Sequence, residues 1–292
     1  MNNYVLKSKV GRFGNNLLQI SNAIAIAKKH QGKFTLPSIM TDVINPFVVD
    51  FSENKSLPDV CNNFWDLWTG RQDVFHGFKQ IKAFDSLDEI EEMRPQILQK
   101  YVLPHVVSYK KQDLSKYDVI THIRGGDNHV KNGSRRKDVA GESVQSPVSY
   151  FKKIIKDNGY KSMLMVCEDK LNPVVEVLLE WSECDVTYQS SSIQADMNTI
   201  LNAKNFIISG MCSFNRLLMQ MSENVQQIFL PKYENFLKEP DFYQQPDFYL
   251  RQNINIRTMK HKNYIKYGEW RNTDDQCKLM TSHNIEDLEW VV

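Results

Sequence analysis

SMLMVC (162–167), PVVEVLLEW (173–181), DVTY (185–188), QADMNTILNA (194–203), NFIIS (205–209), FNRLLMQM (214–221) and QIFL (227–230) follow one another with short polar joints. The first, third, fifth and seventh runs have strand length, and all but the polar DVTY are apolar. The other three place apolar residues at helical spacing, and Pro173 sits where the first helical turn tolerates it. Asp118–Ile123, an apolar strand, and Val148–Lys156, an amphipathic helix, extend the alternation upstream. Strands that alternate with helices of this length predict a parallel sheet with crossover helices. A domain boundary falls near Tyr117, giving domains at 1–117 and 118–292.

The opening reads as a βαβ unit. Tyr4–Ser8 forms a strand, Gly11-Arg12-Phe13-Gly14-Asn15-Asn16 a glycine-bearing turn, Leu17–His30 a helix and Lys33–Leu36 a second strand stopped by Pro37. Lys28, Lys29 and His30 complement the negative end of that helix, and Gly32 can close it. From Ser38 to about Lys116 the pattern is irregular, with one acidic helix at Leu87–Met93. Beyond Pro231 the periodicity is lost. The echo Pro240-Asp241-Phe242-Tyr243 and Pro246-Asp247-Phe248-Tyr249 is too short for a repeat architecture, and Trp270 and Trp290 predict a tail that packs back.

Hydrophobic residues at 41% and charged residues at 24% suit a globular chain with real cores rather than a disordered one. A net charge of +1, from 36 basic and 35 acidic residues, argues against nucleic acid as the partner. No apolar run approaches bilayer length, and the N-terminus lacks a signal-peptide core, so the expected location is the cytoplasm. The five cysteines are scattered, without metal spacing, and read as free thiols.

Three segments carry chemistry. In Gly11–Asn16, glycine lets the backbone approach a ligand while the following helix offers N–H groups to an anion; a plain βα turn is the alternative. The segment is a poor dinucleotide fingerprint, since the glycine order is wrong and no acidic residue ends the strand at Leu36. Thr121-His122-Ile123-Arg124-Gly125-Gly126-Asp127 closes an apolar strand, where open α/β sheets bind ligands. Alternation puts His122 and Arg124 on one face, and a guanidinium can clamp two phosphate oxygens. The alternatives are an Arg124–Asp127 turn pair and a core His122. In the third segment Asp196 opens one helix, and Ser213, before Phe214, opens another after a strand; either residue can act as an N-cap, and an exposed helix start can hold phosphate. The Lys131–Lys137 loop reads as solvated, and Glu183-Cys184-Asp185 as a helix-to-strand turn rather than a metal motif. No Ser-His-Asp order, zinc helix or P-loop is present.

Together these segments resemble the fucosyltransferase superfamily that uses GDP-fucose. Gly11–Asn16 is similar to the G-R-F-G-N-Q of protein O-fucosyltransferases and the G-L-G-N-Q of the α-1,2-fucosyltransferases of glycosyltransferase family 11. His122–Asp127 resembles H-x-R-R-G-D, and Asp196 through Phe214 resembles the stretch ending in S-S-F. The match runs over roughly Tyr4–Leu36 and Asp118–Pro231. Gly125 stands for the second Arg, Asn16 for Gln, and Met211-Cys212 alters the approach to Ser213.

The resemblance implies a GT-B fold, two Rossmann-like domains facing a cleft, with an N-terminal acceptor half and a C-terminal donor half. It implies an inverting glycosyltransferase with a nucleotide-sugar donor, a glycan acceptor and neither metal nor cofactor. His122 and Asp196 would read the guanine, Arg124 would hold the β-phosphate, and Ser213 and Phe214 would lie at the phosphate or sugar. Asn15 would sit near the reacting groups, with Arg12 and Gly14 beside the donor. Asp127, His129 and Glu142 are the available bases, and none is singled out. Another nucleotide sugar, or an inactive nucleotide-sugar- or glycan-binding protein, are the alternatives; an NAD enzyme ranks behind them.

Overall fold

The computed structural model describes residues 3–6, 12–52, 59–60, 87–131, 134–135, 139, 141, 143–234 and 254–291. In chain order the regular elements are β1 (Asn3–Val5), α1 (Phe13–Lys29), β2 (Lys33–Leu36), β3 (Phe47–Asp50), β4 (Asp59–Val60), α2 (Leu87–Ile97) and β5 (Val119–Ile123). A small ribbon of β6 (Val130–Lys131) and β7 (Ser134–Arg135) precedes α3 (Val148–Asn158), β8 (Ser162–Cys167), α4 (Pro173–Leu179), β9 (Asp185–Gln189), α5 (Ile193–Leu201) and β10 (Asn205–Ile208). Then come α6 (Ser213–Met221), β11 (Gln227–Lys232), β12 (Asn255–His261), α7 (Asp274–Ser282) and β13 (Leu288–Trp290). None of these helices is long and apolar enough to cross a membrane.

Contacts divide the described chain into two units. One takes the residues up to Lys110 and recovers Ser213–Glu223; the other takes Lys111–Cys212 and the described residues of 224–234 and 254–291. The sequence set its boundary at 117/118 and left α6 with the C-terminal half. A boundary drawn along the chain cannot register a helix that returns to the other unit.

The first unit is built on a four-stranded sheet in the order β3-β2-β1-β4. β1 lies parallel to β2 and to β4, whereas β3 runs antiparallel to β2. Helix α1 makes the β1-to-β2 crossover and packs against both α2 and α6. Leu17, Ile20, Ala23, Ile24 and Ala27 are fully buried, as their spacing predicts. The opposite side, with Gln19, Ser21 and Asn22, is buried as well, because the neighbouring helices cover what a surface helix would leave in water. Helix α1 begins at Phe13 rather than at Leu17, so Gly14 and Asn15 belong to its first turn and not to a loop.

The second unit holds a seven-stranded sheet in the order β13-β12-β11-β10-β5-β8-β9. Every neighbouring pair is parallel except β12 with β13. The chain moves outward from β5 through β8 to β9, then returns to the far side of β5 with β10 and continues to β11. This reversal makes the carboxyl ends of β5 and β10 the switch point at which open α/β sheets form a crevice. The fold is therefore the mixed α/β class read from the alternation, and β8 has the boundaries the sequence predicts.

The described part of the tail, 254–291, holds more regular structure than its sequence suggests. β12 adds to the sheet beside β11, and α7 starts with a capping box between Thr273 and Gln276. Trp270 is fully buried. The four described cysteines are free. Burial pushes the Cys167 thiol up to about 12 and the Cys184 thiol to about 11, which leaves both protonated and inert.

Candidate functional site

The first cluster of interest lies in the first unit, where the starts of α1 and α6 meet. Asn15 and Ser213 are 198 residues apart in sequence, yet the Ser213 hydroxyl donates to Asn15 Oδ1 at 3.1 Å. The Phe13 and Phe214 rings pack edge to face with centroids 6.3 Å apart. A Cβ on Gly14 would lie 2.6 Å from the Phe214 backbone nitrogen and 2.6 Å from Ser213 Oγ. The glycine is thus needed for close approach, but the approaching backbone is that of this chain, not of a ligand.

Arg12 is the exposed N-cap of α1 and caps it with no side-chain bond; its carbonyl accepts from the Asn15 and Asn16 amides. Neither α1 nor α6 has an acidic residue in its first turn. Two positive helix ends therefore converge, with no acidic residue in either first turn and beside one arginine, a setting that favours an anion.

The second cluster sits at the switch point of the second unit. β5 ends at Ile123, so Arg124 opens the turn after the strand and does not share an alternating strand face with His122. His122 is half-buried and lies in register with Ile208 of β10 and Val166 of β8. Its carbonyl accepts from the Ser209 hydroxyl at 2.6 Å, tying the two strand ends together.

The turn pair considered from the sequence is present: Arg124 Nη2 lies 3.4 Å from Asp127 Oδ1, and the Asp127 side chain is 46% exposed. So exposed a pair contributes roughly 0–1 kcal/mol. Arg124 Nε is buried with no partner among the described residues. A buried guanidinium N–H without an acceptor costs about 1–3 kcal/mol and suits a group that waits for a ligand oxygen.

The glycines of this segment also approach the protein itself. Gly126 has φ +56°, a left-handed conformation that disfavours side chains, and a Cβ there would lie 2.5 Å from Glu168 Oε2. A Cβ on Gly125 would collide with the Asp169 carboxylate. Asp169 accepts from the Gly126 amide at 2.9 Å and from the Leu171 amide at 2.9 Å, which makes it a turn-holding group. Sequence reasoning missed these two carboxylates. They directly follow β8, so the strand-end argument that selected Arg124 selects them too.

Asp196 does not cap its helix. Ser192 does, accepting from the Ala195 amide, and Asp196 lies one turn further in. It is 8% exposed and accepts from Gln189 Nε2 at 2.8 Å. Burial raises its carboxyl above the usual range, and the bond from Gln189 opposes that shift. Gln189, in turn, is in register with Val166, the neighbour of His122.

Of the three bases, Glu142 lies outside the described residues. His129 is 4% exposed, and burial lowers it to about 4, so it stays neutral with little access. Asp127 is the accessible one. Glu183 is exposed, pairs with Lys156 at 3.1 Å, and precedes the amino end of β9, away from the strand ends that matter. The loop at 131–137 is described only at Lys131, Ser134 and Arg135. Asp241 and Asp247 lie outside the described residues, as does Gly11. Among the described residues no three His, Cys, Asp or Glu side chains are grouped as a metal site.

The two clusters belong to a mixed α/β protein whose larger sheet is parallel but for its β12–β13 edge, and comparison with known proteins adds a distant likeness. No family model and no curated protein matches the chain. Among solved structures, POFUT1 in complex with GDP is 12% identical over 76% of this chain and 95% of its own, at a TM-score of 0.40. POFUT1 in complex with GDP-fucose is 13% identical over 77% of this chain and 97% of its own, also at 0.40. The apo form gives 13%, 75%, 94% and 0.37.

Proposed function

We propose that this chain is an inverting glycosyltransferase of GT-B type that moves fucose from GDP-fucose to a glycan hydroxyl without a metal ion. The observation that carries the reading is the meeting of Gly14 and Asn15 with Ser213 and Phe214. Two segments singled out in the sequence, which resemble donor-binding motifs, lie in contact, and the two helix starts that meet there support an anion as the ligand. Chance similarity of short motifs gives no reason for them to touch.

In the proposed reaction the acceptor oxygen forms a bond to the anomeric carbon while the bond from that carbon to the β-phosphate oxygen breaks. The hydroxyl proton leaves to a base or to solvent, and the electron pair departs with GDP. Arg124, with an N–H still unspent, stabilises the charge that grows on the diphosphate, a preorganised effect that is strongest in the transition state. Asn15, Ser213 and the helix ends act on anionic oxygens, with Arg12 and Phe214 beside them. His122 and Asp196 contact the base, Asp196 keeping its Gln189 bond. An inactive nucleotide-sugar binder is the second reading, favoured by Glu168 and Asp169, whose negative charge beside the Arg124 turn weakens its pull on a leaving diphosphate.

The test is release of free nucleotide from a panel of GDP- and UDP-sugars, with and without an acceptor mixture and EDTA. The proposal expects turnover of GDP-fucose that survives chelation. Loss of turnover with EDTA and its recovery with manganese would show that the charge is handled by a metal instead. Tight GDP binding with no turnover would favour the binder.

A further inference from the structure

Three helices of the first unit share a buried ionic network one to two turns below the Asn15–Ser213 contact. Glu91 and Arg94 of α2 are each 1% exposed. Arg94 binds Glu91 bidentately, with Nη2 to Oε1 at 2.5 Å and Nε to Oε2 at 3.1 Å. Its remaining Nη1 reaches the Ser21 hydroxyl and Asn22 Oδ1, the latter at 2.7 Å, on α1. Arg216 of α6 completes the set, with Nη2 3.3 Å from Glu91 Oε2.

Helical periodicity connects this network to the junction above it. Asn15 and Asn22 are seven residues apart and lie on one face of α1; Ser213 and Arg216 are three apart on one face of α6. The two helices are therefore joined directly at the upper level and, at the lower, through Glu91 and Arg94 of α2. A buried ion pair is a weak source of net stability, since apolar side chains of similar volume do as well. Its particular property is direction. Apolar faces tolerate a small slide or rotation, whereas the Arg94–Glu91 pair, held bidentately within α2, presents fixed donors to α1 and a fixed acceptor to α6 whose bonds a slide would break.

We propose that Glu91, Arg94 and Arg216 are positioning residues that fix the register of α6 on α1 and so hold Asn15, Ser213 and the two helix ends in the geometry that binds an anion. The ligand part of this inference rests on the reading under Proposed function; the register part does not. Arg216 is the residue to change, because its side chain is 17% exposed and its loss leaves the Arg94–Glu91 pair intact.

The experiment compares wild type, Arg216→Met and Arg216→Lys by two readouts: hydrogen exchange of peptides covering 209–221 and 12–20, and calorimetric affinity for GDP. Expected are exchange in those peptides faster by about tenfold in Arg216→Met, unchanged exchange in β5 and β8, a GDP dissociation constant raised about tenfold, and partial rescue by lysine. Wild-type-like exchange and affinity in Arg216→Met would overturn the inference while leaving the proposed function standing. If wild type itself does not bind GDP, the functional reading fails, and exchange alone decides the register: local acceleration supports it and none refutes it. A uniform rise in exchange across the first unit would mean a general stabilising role and would also overturn it. If Arg216→Met does not fold, Arg216→Lys carries the same comparison, with a two- to threefold effect expected on each readout and wild-type values counting against the inference.

Discussion

Replacing Gly14 with alanine puts a methyl carbon 2.6 Å from the Phe214 nitrogen and 2.9 Å from its Cα, where ordinary contact starts at 3.4 Å. Ser213 Oγ, also 2.6 Å away, can turn aside, but the two Phe214 atoms are backbone, so the starts of α1 and α6 must part by the better part of an ångström. Overpacking of this kind costs about 1–3 kcal/mol. Alanine recovers up to about 1 kcal/mol of helix propensity, and less at a helix start. Parting the helices also strains the Ser213–Asn15 bond, which contributes about 1 kcal/mol. The steric effect wins, and the net loss should be about 2 kcal/mol. Urea denaturation followed by exchange of α1 amides measures it, with a lower midpoint at unchanged slope. Gly159→Ala is the control: its φ is +67° with nothing within 4 Å, so it should lose only the left-handed penalty of about 1 kcal/mol. Gly14→Ala protein as stable as wild type would refute the packing argument.

Two further predictions concern charge. Arg124→Ala should lower kcat/KM for the donor at least about a hundredfold, roughly 2.7 kcal/mol, with little rescue by lysine, which lacks the planar fork. Asp127→Ala should cost under about 1 kcal/mol of stability, and a folded Arg124→Ala protein with near-normal turnover would remove that arginine from the mechanism. Fully buried His261, packed with Tyr150, Tyr233, Tyr264 and His283, is held down to about 3 by burial first and by the His283 charge second. An unfolded histidine titrates near 6.5, so between about 3 and 6.5 only the unfolded chain takes the proton. Stability should therefore be complete above that window and fall as the pH drops through it, by about 2 kcal/mol between pH 7.5 and 5; equal urea midpoints at the two pH values would contradict this.

Legibility in the sequence followed how fully each element depends on its own residues. β8 is covered on both faces, so its apolar run carries its boundaries without help from neighbours. β12 borders the antiparallel β13 and buries only Met259 and His261, and its mixed composition hid it. The start of α1 was misplaced because glycine reads as a breaker, whereas Gly14 answers to the backbone of a helix nearly two hundred residues away. Arg94 is the clearest loss: it stands just past the acidic helix read at Leu87–Met93, and only its bonds to Glu91, Ser21 and Asn22 show where its charge goes. The Ser192 cap stands last in a run of three serines and was open to reading, yet the sequence reading gave the helix start to Asp196. The strand-end position of His122 and Arg124 was legible because it follows from topology; the carboxylates that follow β8 were missed where the same rule was not applied to that strand.

The central claim, a GDP-sugar site, is tested most directly by calorimetric titration of the intact protein with GDP and, separately, with NAD. The account predicts that GDP binds and that NAD does not. At a hundredfold excess over its dissociation constant, GDP should also raise stability by about 2.7 kcal/mol. Binding of NAD with no detectable binding of GDP would contradict it.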